Sequence, residues 1–215
     1  MLMLKKMCIV LCGFLLMGMP LGASSNAASN DVKNINLTAI NCNVTVTKTS
    51  ASDFSYEYNK SLYTVTSTLS GSTIYITVKG KGSANGISDR VNILIPDKSY
   101  EKITVESTKA GVSLPELNTN LDVTGTDGSS MSVRVPAGYS KAINYENIKG
   151  SGSLTFSKGA SDYTVTVKPT ASALSVPTGW PLFRPNLTYN YINGAGKAKI
   201  NITLENSSFS IAAPK

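Results

Sequence analysis

The chain has no histidine at all. That removes Ser-His-Asp and Cys-His catalytic arrangements and the usual zinc sites together, because each needs an imidazole. Cysteine is nearly as scarce: Cys8 and Cys12 lie close to the start, leaving Cys42 alone in the body of the chain. A disulfide framework is therefore excluded, and Cys42, alternating with Val44 and Val46, reads as a small buried apolar residue. Charged residues make up only 15% of the sequence and tryptophan occurs once. Helical periodicity is missing throughout.

Long apolar runs are also few. The one at Met7–Met19 follows Lys5 and Lys6 and precedes Leu21-Gly22-Ala23, the order of basic, apolar and small residues found in a secretory signal peptide. It falls short of the ~20 residues that a membrane-spanning helix needs. The expectation is a cleaved leader over 1–23, with cleavage as late as 29, a flexible segment over 24–33, and one domain over 34–215 on the outside of the cell. No transmembrane span is expected in the mature chain. Ile9, Val10 and Leu11 before Cys12 do not form a lipobox.

The formal net charge is +7, spread along the chain. Lys79 with Lys81, and Lys197 with Lys199, place charges on single strand faces, which suits either contact with an anionic wall polymer or protection of exposed strands. Export argues against nucleic acid as a partner. Six Asn-x-Ser/Thr sequences, at Asn36, Asn43, Asn59, Asn186, Asn201 and Asn206, arise easily in a chain this rich in Asn, Ser and Thr; its style is bacterial.

What is abundant is alternation. Ile74, Ile76 and Val78 share a face, as do Val91, Ile93 and Ile95, then Met131, Val133 and Val135, then Tyr163, Val165 and Val167. This is the signature of strands with one buried side. Strand starts at Ile103, Leu121, Ile143 and Tyr163 recur with a period of about 20 residues, and strand-turn-strand content at such a period points to stacked coils. The fold expected is all-β, a single-stranded right-handed β-solenoid with each coil stacked on the next; a β-sandwich is the alternative. Tyr63–Leu69 and Thr73–Val78 are expected to form a hairpin.

Several strings invite a chemical reading. "GAGK", Gly194–Lys197, lacks the Walker glycine (Tyr191 stands there) and the following Ser or Thr (Ala198 stands there), and period-two residues follow instead of a helix. It reads as the turn of a late coil, with Ile200, Ile202, Phe209 and Ile211 closing the core and its lysines outward. Ser99 and Lys102 form Ser-x-x-Lys without the helix or downstream motifs of acyl-serine enzymes. Asp122 and Asp127 flank a turn without the third acid of a calcium site. Glu101 with Glu106, or Asp122 with Glu146, are conceivable carboxylate pairs. No cofactor, no metal and no catalytic residue is expected, and the chain reads as non-enzymatic.

The least ordinary segment is "VPTGWPLFRPNLTYNY". Three prolines bar a regular strand around Trp180, with Phe183, Arg184, Tyr189 and Tyr191 close by. Aromatic and arginine side chains on a stiff loop suit contact with a sugar or a partner. They equally suit a cap over the open end of a stacked core. Trp180, Phe183, Arg184 and Tyr189 are the candidate contact residues.

The series "VNILIPDKSYEKITVESTKAGVSL", "LDVTGTDGSSMSVRVP" and "YINGAGKAKINITLENSSFSI" resembles the bacterial putative-adhesin domain family. The similarity covers most of residues 34–213. It implies a β-solenoid and a surface location, with no defined chemistry. The family's frequent Gly-Asp before the second strand is replaced by Gly111-Val112, Gly152-Ser153 and Ser207-Ser208. The partners expected are a cell-wall polymer, a glycan or a surface protein. Two other classes remain open: a carbohydrate-active protein, and an envelope-stress or sensory accessory domain that binds a small ligand.

Overall fold

A computed structural model describes residues 31–82, 89–181, 184 and 186–213. The expected leader lies outside them. At the described end of the segment expected to be flexible, Val32 is buried and the Lys33 amide donates to Ser72 O at 2.8 Å. That part is held to the domain.

Alternation of apolar and polar residues yields strands almost wherever it occurs. In chain order they are β1 (Asn34–Ile40), β2 (Asn43–Thr49), β3 (Ser55–Glu57), β4 (Tyr63–Ser70), β5 (Thr73–Gly80), β6 (Val91–Pro96), β7 (Lys102–Thr108) and β8 (Gly111–Glu116). There follow β9 (Asn120–Thr126), β10 (Ser130–Val135), β11 (Ala142–Ile148), β12 (Ser151–Phe156), β13 (Tyr163–Thr170) and β14 (Ala173–Ser175). The last three are β15 (Tyr189–Asn193), β16 (Ala198–Glu205) and β17 (Ser208–Ala212).

These strands build two sheets, with orders β15-β13-β16-β11-β9-β7-β1-β5-β4 and β14-β17-β12-β10-β8-β2-β6-β3. The chain passes from the first sheet to the second with nearly every successive strand. Side chains of the inner faces of both meet in one core, which includes Val105, Val123, Tyr145, Leu154, Val165 and Ile202. Most neighbours are parallel, and among the described residues antiparallel pairing occurs only at the ends, where β4 joins β5, β3 joins β6 and β15 joins β13. The expected hairpin is thus β4–β5, turning at Gly71 with φ of 57°.

The turns from first sheet to second share one device. Asn41, Lys109, Asp127, Lys149, Ala171 and Asn206 all sit in the left-handed region, and the amides of five of them donate to the neighbouring rung, for example Lys109 to Thr126 O at 3.2 Å and Lys149 to Glu205 O at 2.8 Å. Left-handed backbone costs a non-glycine residue roughly 1 kcal/mol or more. The inter-rung hydrogen bonds offset it, which is why lysine and alanine serve where glycine or asparagine was the expected turn residue.

Stacking does not follow the sequence at either end. The pair β1/β2 lies between β5/β6 and β7/β8, and β16/β17 lies between β11/β12 and β13/β14. Ile200, Ile202, Phe209 and Ile211 are buried as expected. They do not close the core, however, because β13/β14 lies beyond them.

The "GAGK" segment makes this insertion possible. β15 and β16 flank β13 on opposite sides, so the segment steps over the start of β13. There the Asp162 carboxylate accepts from the Ala195 amide, and the Asp162 carbonyl from the Ala198 amide, both at 2.8 Å. Gly194 has φ of 60° and lies so close to Asp162 that a side chain would collide with it. Lys197 and Lys199 face outward.

Candidate functional site

The loop between β14 and β15 is braced by a turn in which the Trp180 amide donates to Pro177 O at 3.2 Å, with Gly179 at φ of 89°. The turn lays the indole against Tyr191, ring centres 3.8 Å apart and planes 18° apart. Beneath them, Tyr163 stacks on Phe156 at 4.1 Å and 20°. Trp180 reaches both, at 6.2 Å and 6.1 Å. Tyr163 begins β13 and Phe156 ends β12, each on an inward position, so the four rings cover the end of the core at β13/β14. Aromatic pairs in such geometry contribute about 0.5–1.5 kcal/mol each beyond their buried area.

The predicted contact residues separate. Trp180 is half-buried and Arg184 is exposed, whereas Tyr189 is 5% exposed and lies in the wall, paired with Val167. Burial pushes the Tyr189 phenol up, with a smaller contribution from Tyr191. Phe183 lies outside the described residues. Tyr191, not Tyr189, is the ring under Trp180; the two share a strand face, and alternation alone could not choose between them. Leu187 and Ile192 add apolar surface to this end, at 57% and 65% exposed.

Sequence reasoning passed over a second concavity. On the outer face of the second sheet, Thr45, Ser113, Ser132 and Ser153 stand on successive rungs in register. Such small side chains leave a groove of about 350 Å³, with Arg90 and Asn43 also on its rim. The visible signal was the run of Ser and Thr between inward apolar residues.

The remaining candidates resolve simply. Lys102 does not meet Ser99: its ammonium pairs with Asp122. Asn144 Nδ2 donates to Asp122 Oδ1 at 2.9 Å, and Asn201 Nδ2 to Asn144 Oδ1 at 3.1 Å, forming a polar line across the first sheet. Burial raises the Asp122 carboxyl, but the Lys102 and Asn144 hydrogen bonds and the Lys102 charge outweigh it and hold it below its ordinary value. Cys42 is buried, and burial pushes its thiol up to about 11 against a smaller opposing hydrogen bond from the backbone of Ile40. No group of three or more potential metal-ligating side chains occurs among the described residues. Nor is any helix among them long and apolar enough to cross a membrane.

The geometry thus defines an all-β protein of two mixed sheets around one core, with an aromatic cluster over one end. A solved structure of a putative cell adhesion protein from Clostridium sporogenes shares this fold, with a TM-score of 0.64 over 87% of this chain and 96% of that one at 14% identity. No family model matches the chain, and no curated protein matches it in sequence. The likeness is one of fold.

Proposed function

We propose that this chain is a non-enzymatic binding module of the bacterial cell surface, exported by its leader and acting as an adhesin-like protein. Its two sheets are read as two faces of a right-handed β-solenoid, supported by the regular alternation of strands between sheets and by parallel pairing along the stack. The observation that carries the functional reading is the Trp180–Tyr191 stack at one end, beside exposed Arg184, Leu187 and Ile192. Stacked rings with an arginine and apolar neighbours suit a sugar face or a partner surface. The fold shared with a protein described as a putative cell adhesion protein points the same way.

The test is a binding screen of the full chain against glycans and cell-wall polymers, with Trp180→Ala and Arg184→Ala beside it and folding monitored by circular dichroism. Loss of binding in folded variants supports the reading. Equal binding by all three proteins assigns Trp180 to the cap alone.

The groove on the second sheet favours a second reading, a carbohydrate-binding surface along the stack. Its rungs of hydroxyls and Arg90 offer hydrogen bonds to an extended glycan. Ser132→Trp would fill the groove without touching the Trp180 end, so binding lost in that variant and kept in Trp180→Ala selects the groove.

A further inference from the structure

The lysines of this chain fall into two groups. All 13 acidic side chains lie among the described residues, so every acid that could neutralise a lysine is in view. Three lysines on or beside the early strands are neutralised: Lys33 pairs with Glu101, Lys48 with Asp97 and Lys102 with Asp122. Lys141, Lys197 and Lys199 stand where the late strands β11 and β16 begin, and all three are exposed. None of the ion pairs formed among the described residues includes them.

Pairing of β11 with β16 draws these three together. The Lys199 amide donates to Lys141 O at 3.2 Å, which sets the two lysines on adjacent rungs, ~4.8 Å from strand to strand. Lys197 and Lys199 face the same outward side, about 7 Å apart along the chain. Opposite Lys199 stand Ala142 on β11 and Thr164 on β13, neither of them charged, and its ammonium donates to Thr164 Oγ1 at 3.4 Å. Asp162, beside the start of β13, turns its carboxylate to the Ala195 amide instead. Lysine often guards a bare sheet edge. That role does not apply here, because β16 is paired with β11 and β13, and β11 with β9 and β16. Three like charges gathered with neither an acid to pair nor an edge to protect make a local positive field that attracts an anion.

We propose that Lys141, Lys197 and Lys199 bind the phosphates of a linear polyol phosphate, and that Asn144 and Asn201 take its hydroxyls. Asn201 follows Lys199 by two residues, so it faces the same outward side, and Asn144 lies opposite it on β11; both are exposed. Asn144 Nδ2 gives one hydrogen to Asp122, and Asn201 Nδ2 gives one to Asn144. An amide nitrogen carries two, so each keeps a second donor directed away from that line. The line is anchored at its far end by the pair of Asp122 with Lys102. Lysine meets phosphate as a point charge on a flexible stem and needs no planar alignment. Fixed amides beside such ammonium groups suit a repeat in which phosphate and hydroxyl alternate.

The lysines lie on the side of the stack, whereas the four rings cover its end at β13/β14. A polymer held at β11 and β16 would keep the chain at the wall and leave the Trp180 end open to a second ligand. The source of the polymer rests on the surface location proposed above. The binding itself does not, and it is measured with no glycan present.

Calorimetric titration of the full chain with lipid-free poly(glycerol phosphate) tests the site. Wild type is expected to bind, more weakly as salt is added. K141Q/K197Q/K199Q should bind on the order of 100-fold more weakly, and K141R/K197R/K199R close to wild type, which separates lost charge from lost fold. K60Q/K109Q/K149Q removes the same charge from exposed positions elsewhere and should stay within about threefold of wild type, since distant exposed charges are screened. N144A/N201A should lose about tenfold through its missing hydrogen bonds. A wild type that does not bind at low salt overturns the proposal. So does an equal loss in K60Q/K109Q/K149Q, which would mean that net charge alone is read. Unchanged binding by N144A/N201A, or tighter wild-type binding to polyglutamate of matched charge, overturns the assignment to a polyol phosphate.

Discussion

Substituting Gly152 with alanine should destabilise the domain, although glycine in a strand interior is ordinarily the weaker choice by roughly 0.5–1 kcal/mol. Gly152 occupies an inward position of β12, between Met131 and Phe209 on the neighbouring strands. Tyr145 crosses the core from the first sheet and ends above it, its hydroxyl donating to Met131 O at 3.2 Å. A Cβ on residue 152 would overlap that hydroxyl oxygen and come within 2.9 Å of Tyr145 Cζ and Phe209 Cε2. Tyr145 and Phe209 also meet edge-on, ring centres 4.8 Å apart, so the new methyl would press on both members of one aromatic pair.

Overpacking of this kind costs about 1–3 kcal/mol, and displacing the Tyr145 hydroxyl loses a buried hydrogen bond of about 1 kcal/mol. Against the intrinsic gain of alanine, the net expectation for Gly152→Ala is a loss of about 2–3 kcal/mol. Tyr145→Phe alone should cost about 1 kcal/mol. Because it also removes the atom that the new methyl meets, the double variant should lose about 2 kcal/mol, short of the sum by 1 kcal/mol or more. Urea unfolding of the four proteins, with midpoints compared at a common slope, measures the coupling. Losses that add to within about 0.5 kcal/mol would refute the reasoning, since they would mean that the two positions do not share space.

Asp162→Ala should lower stability by about 1–2 kcal/mol, since the carboxylate accepts the Ala195 amide where the chain steps over β13 and position 162 has φ of 58°. Asp162→Asn keeps an acceptor and tolerance of that backbone and should stay near wild type; equal losses would show that the side chain does not hold the crossover. The Asp122 carboxyl is held below its ordinary value, so its contribution is present above the unfolded value of about 4 and fades as pH falls through the lower folded value. The Tm difference between wild type and Asp122→Asn should accordingly shrink as pH is taken from 7 to below 4, and a difference independent of pH would exclude the ion pair as its source. With its thiol pushed up to about 11 and buried, Cys42 should resist iodoacetamide at pH 8 until the domain unfolds. Rapid alkylation of folded protein would contradict that burial.

Much of this fold could be read directly. The apolar members of β5, β6, β10 and β13 were visible as alternating sets, and each set is buried. The burial of Cys42 and the β4–β5 hairpin followed from the same pattern. The candidate site was less legible. Trp180 and its prolines stood out by composition, but pairing of β15 with β13 decided that Tyr191 lies beneath the indole while Tyr189 lines the wall. The groove on the second sheet arises only when Thr45, Ser113, Ser132 and Ser153, distant in sequence, come onto adjacent rungs.

The sequence by itself determined which residues form strands and which side of each strand is buried, because a period of two fixes a strand's face without reference to its neighbours. Tertiary structure alone decided who those neighbours are. Many rungs present similar apolar pairs inward, so alternation does not distinguish the observed order from simple succession. The insertion of β1/β2 and of β16/β17 one place in from the ends is specified by contacts between distant residues: the step over Asp162, the left-handed turns bonded rung to rung, and Tyr145 in the space above Gly152.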